Sequence, residues 1–342
     1  MKRVLVIFGS MSSEHEVSCM SAANVIENIN KEKYIVSMVG IDKQGNWYKY
    51  NGSLENIKNN NWILDVKNKE KISYIIDELR KYDVIFPVLH GKYGEDGTIQ
   101  GIFEIAGVKY VGCKVLASSI AMNKTFSKKL VETENIPVVD YVNISREKYL
   151  DMCNDINIYK EFCNNTVEKL GLPLFVKPNQ EGSSYGVTKV EDIEKLKEAI
   201  SYALEFDNDV LIEKYIKTKK EVECAILQDG LKLIVSTPGQ IKTKDTIYSY
   251  DEKYNDSSNL PIIPAHILKE QEEKIKEYSK RIFKILNLSS LARIDFFVTD
   301  NNIFFNEVNT MPGFTNTSMY PKLLMYDGIS YNKIIEILIE NV

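Results

Sequence analysis

Apolar residues follow two different periods along this chain. Short apolar runs at Lys2–Gly9, Tyr34–Ile41 and 83–89 (DVIFPVL) have the length of buried strands. Between them, apolar residues recur at helical spacing. Val17, Met20, Val25 and Ile29 predict a helix that starts near Glu14 and runs through Ile29. A second helix, ending near Ala106, follows the glycine-rich stretch 90–97. Residues 51–70 are polar and rich in asparagine, and read as a surface excursion. Strand alternating with helix predicts an open α/β domain with a parallel sheet. Such sheets bind ligands beyond the carboxyl ends of their strands, where 9–14 and 90–97 fall.

Further along, the pattern predicts helices at 124–134, 191–204, 269–286 and 331–339. In the second of these, Ile193, Leu196, Ala199, Ile200 and Ala203 share one face. Extended segments are predicted at 137–144, 174–177, 187–190 and 210–213. Residues 221–227 and 231–237 read as a hairpin turning at Asp229-Gly230. A polar, tyrosine-rich loop spans 243–259 and has the character of a lid.

A chain of 342 residues exceeds one hydrophobic core, so two or three domains are expected. The net charge of −5 argues against nucleic acid as the partner. No apolar run is long enough to cross a membrane. The opening MKRVLVIFGS has a short apolar part and no small-residue cleavage site, so it reads as a strand and not as a signal peptide. Five scattered cysteines without a C-x-x-C pair indicate a reducing compartment, the cytoplasm. Five arginines stand against 38 lysines, which makes the placement of Arg293 notable.

Arg293 opens the densest chemistry in the chain. Residues 291–315, LARIDFFVTDNNIFFNEVNTMPGFT, read as two strands joined by a polar turn. Arg293 and Asp295 share a face of one strand, and Glu307 and Asn309 share a face of the other. Paired as a hairpin, these four side chains converge. Two carboxylates and an amide oxygen form a hard oxygen set suited to Mg²⁺. An adjacent arginine suits an anionic substrate or a developing negative charge. The plain alternative is a hairpin with one salt bridge. Gly313, after Pro312, would let the backbone approach a ligand.

The loop 181–186 (EGSSYG) offers two hydroxyls and backbone N–H groups, which suits a loop closing over phosphate. With Lys177 upstream and Lys124 at a helix start, it could cradle a triphosphate. Glu213 could accept from an adenine amino group and Glu221 could bind a ribose; a strand leaving the core into a charged loop is the competing reading. Glu14 and His90 follow separate strands and would share a crevice, though each alone is commonly a structural residue.

These segments together resemble the D-alanine–D-alanine ligases of the ATP-grasp superfamily. The resemblance rests on FGSMSSEHEVS (8–18), VLHGKYGEDGTIQGIFEIAG (88–107), AMNKTFSK (121–128), VKPNQEGSSYGVTKV (176–190), VLIEKYI (210–216), YDEKY (250–254), ARIDFF (292–297) and NEVNTMPGFT (306–315). The family usually has Gly-Gly where this chain has Gly9-Ser10, a departure expected to matter little for the fold. Other segments, such as NNWILD at 60–65, are similar to the D-Ala–D-Ser ligases of the vancomycin-resistance branch.

The resemblance implies an α/β, ATP-grasp fold of three domains. A Rossmann-like domain (1–112) would bind the first D-alanine. Two α+β domains (113–213 and 214–342) would clamp ATP. Lys124, Lys177, Ser184, Glu213, Lys214, Tyr215, Ile216, Glu221 and Phe297 would hold ATP. Asp295, Glu307 and Asn309 would hold two Mg²⁺, with Glu307 bridging and Mn²⁺ able to substitute. Glu14 would take the ammonium of the first D-alanine, linked to Ser183 and Tyr254. Arg293 and the Gly313 N–H would form the oxyanion hole. His90, Lys253, Ser318 and Met319 would contact substrate, with Ser318 on the carboxylate of the second D-alanine. A homodimer through the N-terminal domain is implied. The alternatives are a D-Ala–D-Ser ligase, another enzyme of the superfamily and a non-catalytic nucleotide-binding module.

Overall fold

The computed structural model describes residues 1–217, 219–241 and 261–342. Three sheets carry the fold. The first contains β1 (Lys2–Gly9), β2 (Tyr34–Ile41), β3 (Trp47–Tyr50), β4 (Lys69–Lys71) and β5 (Val84–Pro87), in the order β4-β3-β2-β1-β5. Its helices are α1 (His15–Asn28), α2 (Leu54–Lys58), α3 (Ile75–Leu79) and α4 (Thr98–Ala106). β1 runs parallel to both β2 and β5, whereas β3 and β4 are antiparallel additions. The chain therefore leaves β1 toward one side and reaches β5 on the other. That brings the loops after β1 and β5 together: the Ser12 hydroxyl donates to the His90 carbonyl at 2.8 Å.

The segment 51–70 departs from the expected surface excursion. It is polar on its outside but closes over Trp62, which is fully buried. The Trp62 ring packs edge-on against Phe8 at 5.1 Å and Tyr50 at 6.2 Å. Asp65 secures the segment by accepting from Tyr50 Oη at 2.9 Å and Asn56 at 3.1 Å. Trp62 and the equally buried Ile57 anchor a stretch whose polar residues face water.

After α5 (Val115–Met122) and α6 (Lys124–Thr133) comes the second sheet, β6 (Tyr141–Ser145), β7 (Leu174–Pro178), β8 (Thr188–Val190) and β9 (Asp209–Lys214), in the order β6-β9-β7-β8. It packs with α7 (Arg146–Cys153), α8 (Ile156–Leu170) and α9 (Leu196–Ala203). The helix expected over 191–204 is shorter than its apolar spacing: a 3₁₀ turn, Ile193–Lys195, precedes α9. The Asp192 side chain accepts from the Glu194 N–H and starts that turn.

The third sheet contains β10 (Lys220–Asp229), β11 (Lys232–Val235), β12 (Gly239–Ile241), β13 (Leu291–Val298) and β14 (Ile303–Asn309). β10 pairs with β11 as the expected hairpin. The long α10 (Lys269–Ile285) covers one face together with α5 and α6, whose Ala117, Ala121 and Val131 join its core. The remaining helices, α11 (Met319–Tyr326) and α12 (Tyr331–Glu340), pack between this sheet and the first. Val4, Val6 and Phe8 belong to one apolar cluster with Phe314, Tyr320 and Leu338. The chain's two ends are thus joined through a shared core.

Candidate active site

The hairpin of β13 and β14 pairs Arg293 with Asn309 and Asp295 with Glu307. Directly paired residues share a face, so the four polar side chains converge as expected. Beyond them the pairing jumps to Phe296–Phe305, which makes Asn306 an extra residue in β14. Arg293 forks Asp295, with Nε at 2.8 Å and Nη2 at 2.7 Å from its two oxygens. Its Nε also lies 3.0 Å from Glu223, which β10 sets opposite Asp295. Asn309 donates to Asp295 at 3.1 Å, and the Lys124 ammonium lies 3.5 Å from Glu307.

Lys124 begins α6 behind Asn123, whose side chain caps the helix by accepting from the Phe126 N–H. One turn later Lys128 lies on the same side and is fully buried. Its ammonium is 2.7 Å from Glu213, and Lys177 on β7 is 2.5 Å from the other Glu213 oxygen. Burial opposes charge on Glu213, but the two ammoniums overcome it and hold its pKa down to about 2. Lys128 is pushed below its ordinary value by burial, against the pull of Glu213, because one carboxylate serves two lysines. Nearby, the Lys219 ammonium sits 3.4 Å from the ring centre of Phe297 and 3.3 Å from Glu221. Burial lowers its pKa. Lys214 keeps a looser partner, Asp140, at 3.5 Å.

At the first sheet, the Ser183 hydroxyl bonds the buried Glu14 carboxylate. Ser183 and Ser184 both adopt left-handed backbone, at φ 48° and 61°, which folds 181–186 tightly onto the α1 terminus. Gly91 is also left-handed, and a side chain there would come within 2.5 Å of Glu14. The Lys124 ammonium donates to the Glu181 carbonyl at 2.6 Å, tying this loop to α6. His90 is buried, and both its ring nitrogens have protein partners: the Met311 carbonyl at 2.8 Å and Ser21 at 3.0 Å. Burial lowers its pKa and keeps the ring neutral.

Gly313 lies close to Ser318 of the same loop. A side chain there would meet the Ser318 hydroxyl at 2.6 Å. Ser318 precedes α11 and accepts the Thr315 N–H at 2.9 Å. Met319 follows and is buried beside Gly239. Ser10, at the departure from Gly-Gly, has φ 98°, a conformation in which glycine is at ease and serine is strained.

One cavity of ≈ 480 Å³ gathers Glu14, His90, Lys124, Lys177, Ser183, Ser184, Glu213, Lys214, Ile216, Glu221, Arg293, Asp295, Phe297, Glu307, Asn309, Gly313, Ser318 and Met319. Tyr215 is not among its lining residues; its ring packs on Phe175 at 5.8 Å. Lys253 and Tyr254, and the lid expected over 243–259, lie outside the described residues. Lining residues that sequence reasoning missed include Glu95, Glu181, Lys219 and Glu223. Glu221 and Glu223 alternate along β10, so their shared face was the available signal.

The cavity joins three chemistries. Its lysines and the 181–186 loop can bind polyphosphate, and Glu14 can take an ammonium. Asp295, Glu307 and Asn309 form an all-oxygen set that fits Mg²⁺. Arg293 and Lys124 already offset the two carboxylates, so the metal would share their charge with those cations. Among the described residues no group of three or more His, Cys, Asp or Glu side chains forms a metal cluster; two carboxylates plus an amide is a sparser set, suited to an ion that also takes phosphate oxygens.

Comparison with known proteins agrees with this chemistry. The family described as D-ala D-ala ligase N-terminus matches residues 3–113, and that described as D-ala D-ala ligase C-terminus matches 130–340. The D-alanine–D-alanine ligase of Acetivibrio thermocellus is 43% identical, covering 99% of this chain and 95% of its own. Among solved structures, the VanG D-Ala:D-Ser ligase from Enterococcus faecalis superposes with a TM-score of 0.86 at 40% identity, over 99% of this chain and 98% of that one. The D-alanine-D-alanine ligase from Coxiella burnetii gives 0.82 at 29% identity, over 100% of this chain and 95% of that one. The architecture is the ATP-grasp fold of these enzymes. By matched length and by identity, the chain belongs to the D-alanine–D-alanine ligase family.

Proposed function

We propose that this chain joins two D-alanines at the cost of ATP, supplying D-alanyl-D-alanine for peptidoglycan synthesis. The carrying observation is that Glu14, bonded to Ser183, opens into the same cavity as the Arg293–Asp295–Glu307 cluster. A carboxylate resists attack by an amine. Transfer of the γ-phosphoryl group to the first D-alanine gives an acyl phosphate, and the second amine then displaces phosphate.

Each residue has a part in this reading. Glu14 binds the first ammonium and Ser183 orients Glu14. Lys124, Lys177 and Ser184 hold phosphates. Glu213, Lys214, Tyr215, Ile216, Glu221 and Phe297 hold the nucleoside, Tyr215 through its backbone. Arg293 and the Gly313 N–H stabilise the tetrahedral oxyanion. Ser318 takes the second carboxylate, and Met319 bounds the second side chain. His90, Lys253 and Tyr254 complete the substrate pocket. Asp295, Glu307 and Asn309 would hold two Mg²⁺, which offset phosphate charge when bound, and Mn²⁺ suits the same oxygens.

The three-domain division at 112 and 213 and a cytoplasmic location belong to the same reading. So does a homodimer through the N-terminal domain. Its support is an apolar recess of α3 and α4, lined by Tyr74, Ile75, Ile76, Ile102 and Ile105. Tyr74 and Ile105 are 76% and 73% exposed, which is unusual for large apolar groups side by side.

ADP release on adding D-alanine, with mass spectrometry of the product, tests the activity. Nucleotide binding without dipeptide would turn the reading toward a binding module.

A further inference from the structure

The Met311 peptide is gripped from both sides by the loop that follows β5. Glu95 Oε1 accepts the Met311 N–H at 2.7 Å, and His90 Nδ1 lies 2.8 Å from the Met311 carbonyl. A carbonyl only accepts, so the His90 proton is on Nδ1 and Nε2 accepts from the Ser21 hydroxyl. Ser21 Oγ in turn accepts the Phe314 N–H at 3.1 Å. Gly313 therefore sits between two backbone positions, 311 and 314, that side chains of the first-sheet region hold in place.

Glu95 does a second job with its other oxygen, which accepts the Gly91 N–H at 2.9 Å. Two N–H groups from two separate segments need a group with two accepting oxygens, and only a carboxylate offers that. The arrangement is costly. Glu95 is buried, and burial together with the nearby Glu14 charge pushes its pKa up to about 7. An acid kept in so unfavourable a place, lining the cavity, marks a functional position.

We propose that Glu95, His90 and Ser21 form a positioning clamp that fixes the 311–314 backbone and thereby aims the Gly313 N–H at the oxyanion formed when the second amine attacks. The clamp rests on the ligase reading above, in which Gly313 is an oxyanion donor. It acts on the ligation step and leaves phosphoryl transfer to the other groups. It also makes the first-sheet region a contributor to chemistry performed by the third sheet.

Glu95→Gln is nearly isosteric, but its amide turns an N–H toward one of the two N–H partners. A misplacement of about 1 Å at a reacting centre costs on the order of 10²-fold. The test compares dipeptide formation with positional isotope exchange in bridge-labelled ATP plus D-alanine, which follows reversible acyl-phosphate formation alone. The expected result is a fall in dipeptide kcat of roughly 10- to 100-fold, with exchange and the KM for ATP little changed. Equal losses in both reactions, or dipeptide formation close to wild type, would overturn the clamp. Ser21→Ala frees the other end of the loop and decides the matter if Glu95→Gln does not fold: selective loss of ligation supports the clamp, and full retention or parallel loss overturns it. Absence of dipeptide from the wild-type protein would instead defeat the ligase reading itself.

Discussion

The Ser183 hydroxyl donates to the Glu14 carboxylate, joining the loop after β7 to the start of α1. The two residues are 169 positions apart, and the bond spans two sheets. A loop suited to phosphate thus also orients the group proposed to bind the first D-alanine. Hydrogen bonds to charged groups contribute about 1.5–3 kcal/mol. Ser183→Ala should therefore raise the KM for the first D-alanine by roughly tenfold or more, with a smaller effect on the KM for ATP. Initial rates with each substrate varied would show this. A selective rise in the KM for ATP would assign the loop to phosphate alone.

Glu213 makes acid stability a property of the site. Its pKa of about 2 lies below the ordinary 4.5, so the native state favours its ionised form. The resulting stability is fully present above about pH 4.5 and is lost as pH falls toward 2. Glu213→Gln leaves Lys128 and Lys177 with no carboxylate between them, which should cost about 3–5 kcal/mol at neutral pH. Urea unfolding from pH 3 to 7 should show both the loss and a flatter acid limb. An unchanged acid limb would mean that other carboxylates govern acid unfolding.

Much of this site was legible because sequence spacing maps directly onto strand faces. Arg293, Asp295, Glu307 and Asn309 needed only a period of two and a short turn to be brought together. Lys128 was harder: it lies within a helix among other lysines, and only its contact with Glu213 distinguishes it. Glu95 was hidden for a similar reason, since its partners are backbone N–H groups with no sequence signature. The unmarked helices are weakly sided. α7 and α8 bury few residues, among them Tyr149, Cys163 and Leu170, and α5 is apolar over most of its surface. Trp62 shows the converse, a core residue in a stretch whose polarity masks it.

Metal dependence is the expectation that the oxygen set raises. Glu307 is paired with Asp295 across the strands and lies near Lys124. Glu307→Gln removes a charged oxygen from a set with only two carboxylates. ADP release should collapse, and more Mg²⁺ should be needed for what remains. Chelation of divalent ions should abolish wild-type turnover. A variant with near wild-type ADP release at moderate Mg²⁺ would remove Glu307 from the metal site.

Arg293 cannot be exchanged for lysine without breaking its fork. The guanidinium reaches both oxygens of Asp295 and one of Glu223. A lysine keeps the charge but has no planar fork to span both acids and an oxyanion. Arg293→Lys should reduce kcat by roughly 10²–10³, with a folded protein by circular dichroism. A loss below about tenfold would place Arg293 outside the oxyanion hole and leave it as a structural link between β10 and β13.

The proposed acceptor determinant lies where α11 begins. The VanG D-Ala:D-Ser ligase shares this fold at a TM-score of 0.86, so architecture alone does not choose between D-alanine and D-serine. We assign that choice to Met319. It is buried, lines the cavity one residue after Ser318, and joins an apolar cluster with Phe314 and Leu323. A thioether donates no hydrogen bond and accepts only weakly. A D-serine hydroxyl set against this wall would lose its water partners, at a cost of about 1–3 kcal/mol, on the order of ten- to a hundredfold in selectivity. A methyl group incurs no such loss. D-Alanine should therefore win over D-serine at equal concentrations, read by mass spectrometry of the dipeptides. Met319→Arg should narrow the preference by offering the hydroxyl a donor. A mainly D-Ala–D-Ser product from the wild-type protein would show that another part of the pocket sets the acceptor.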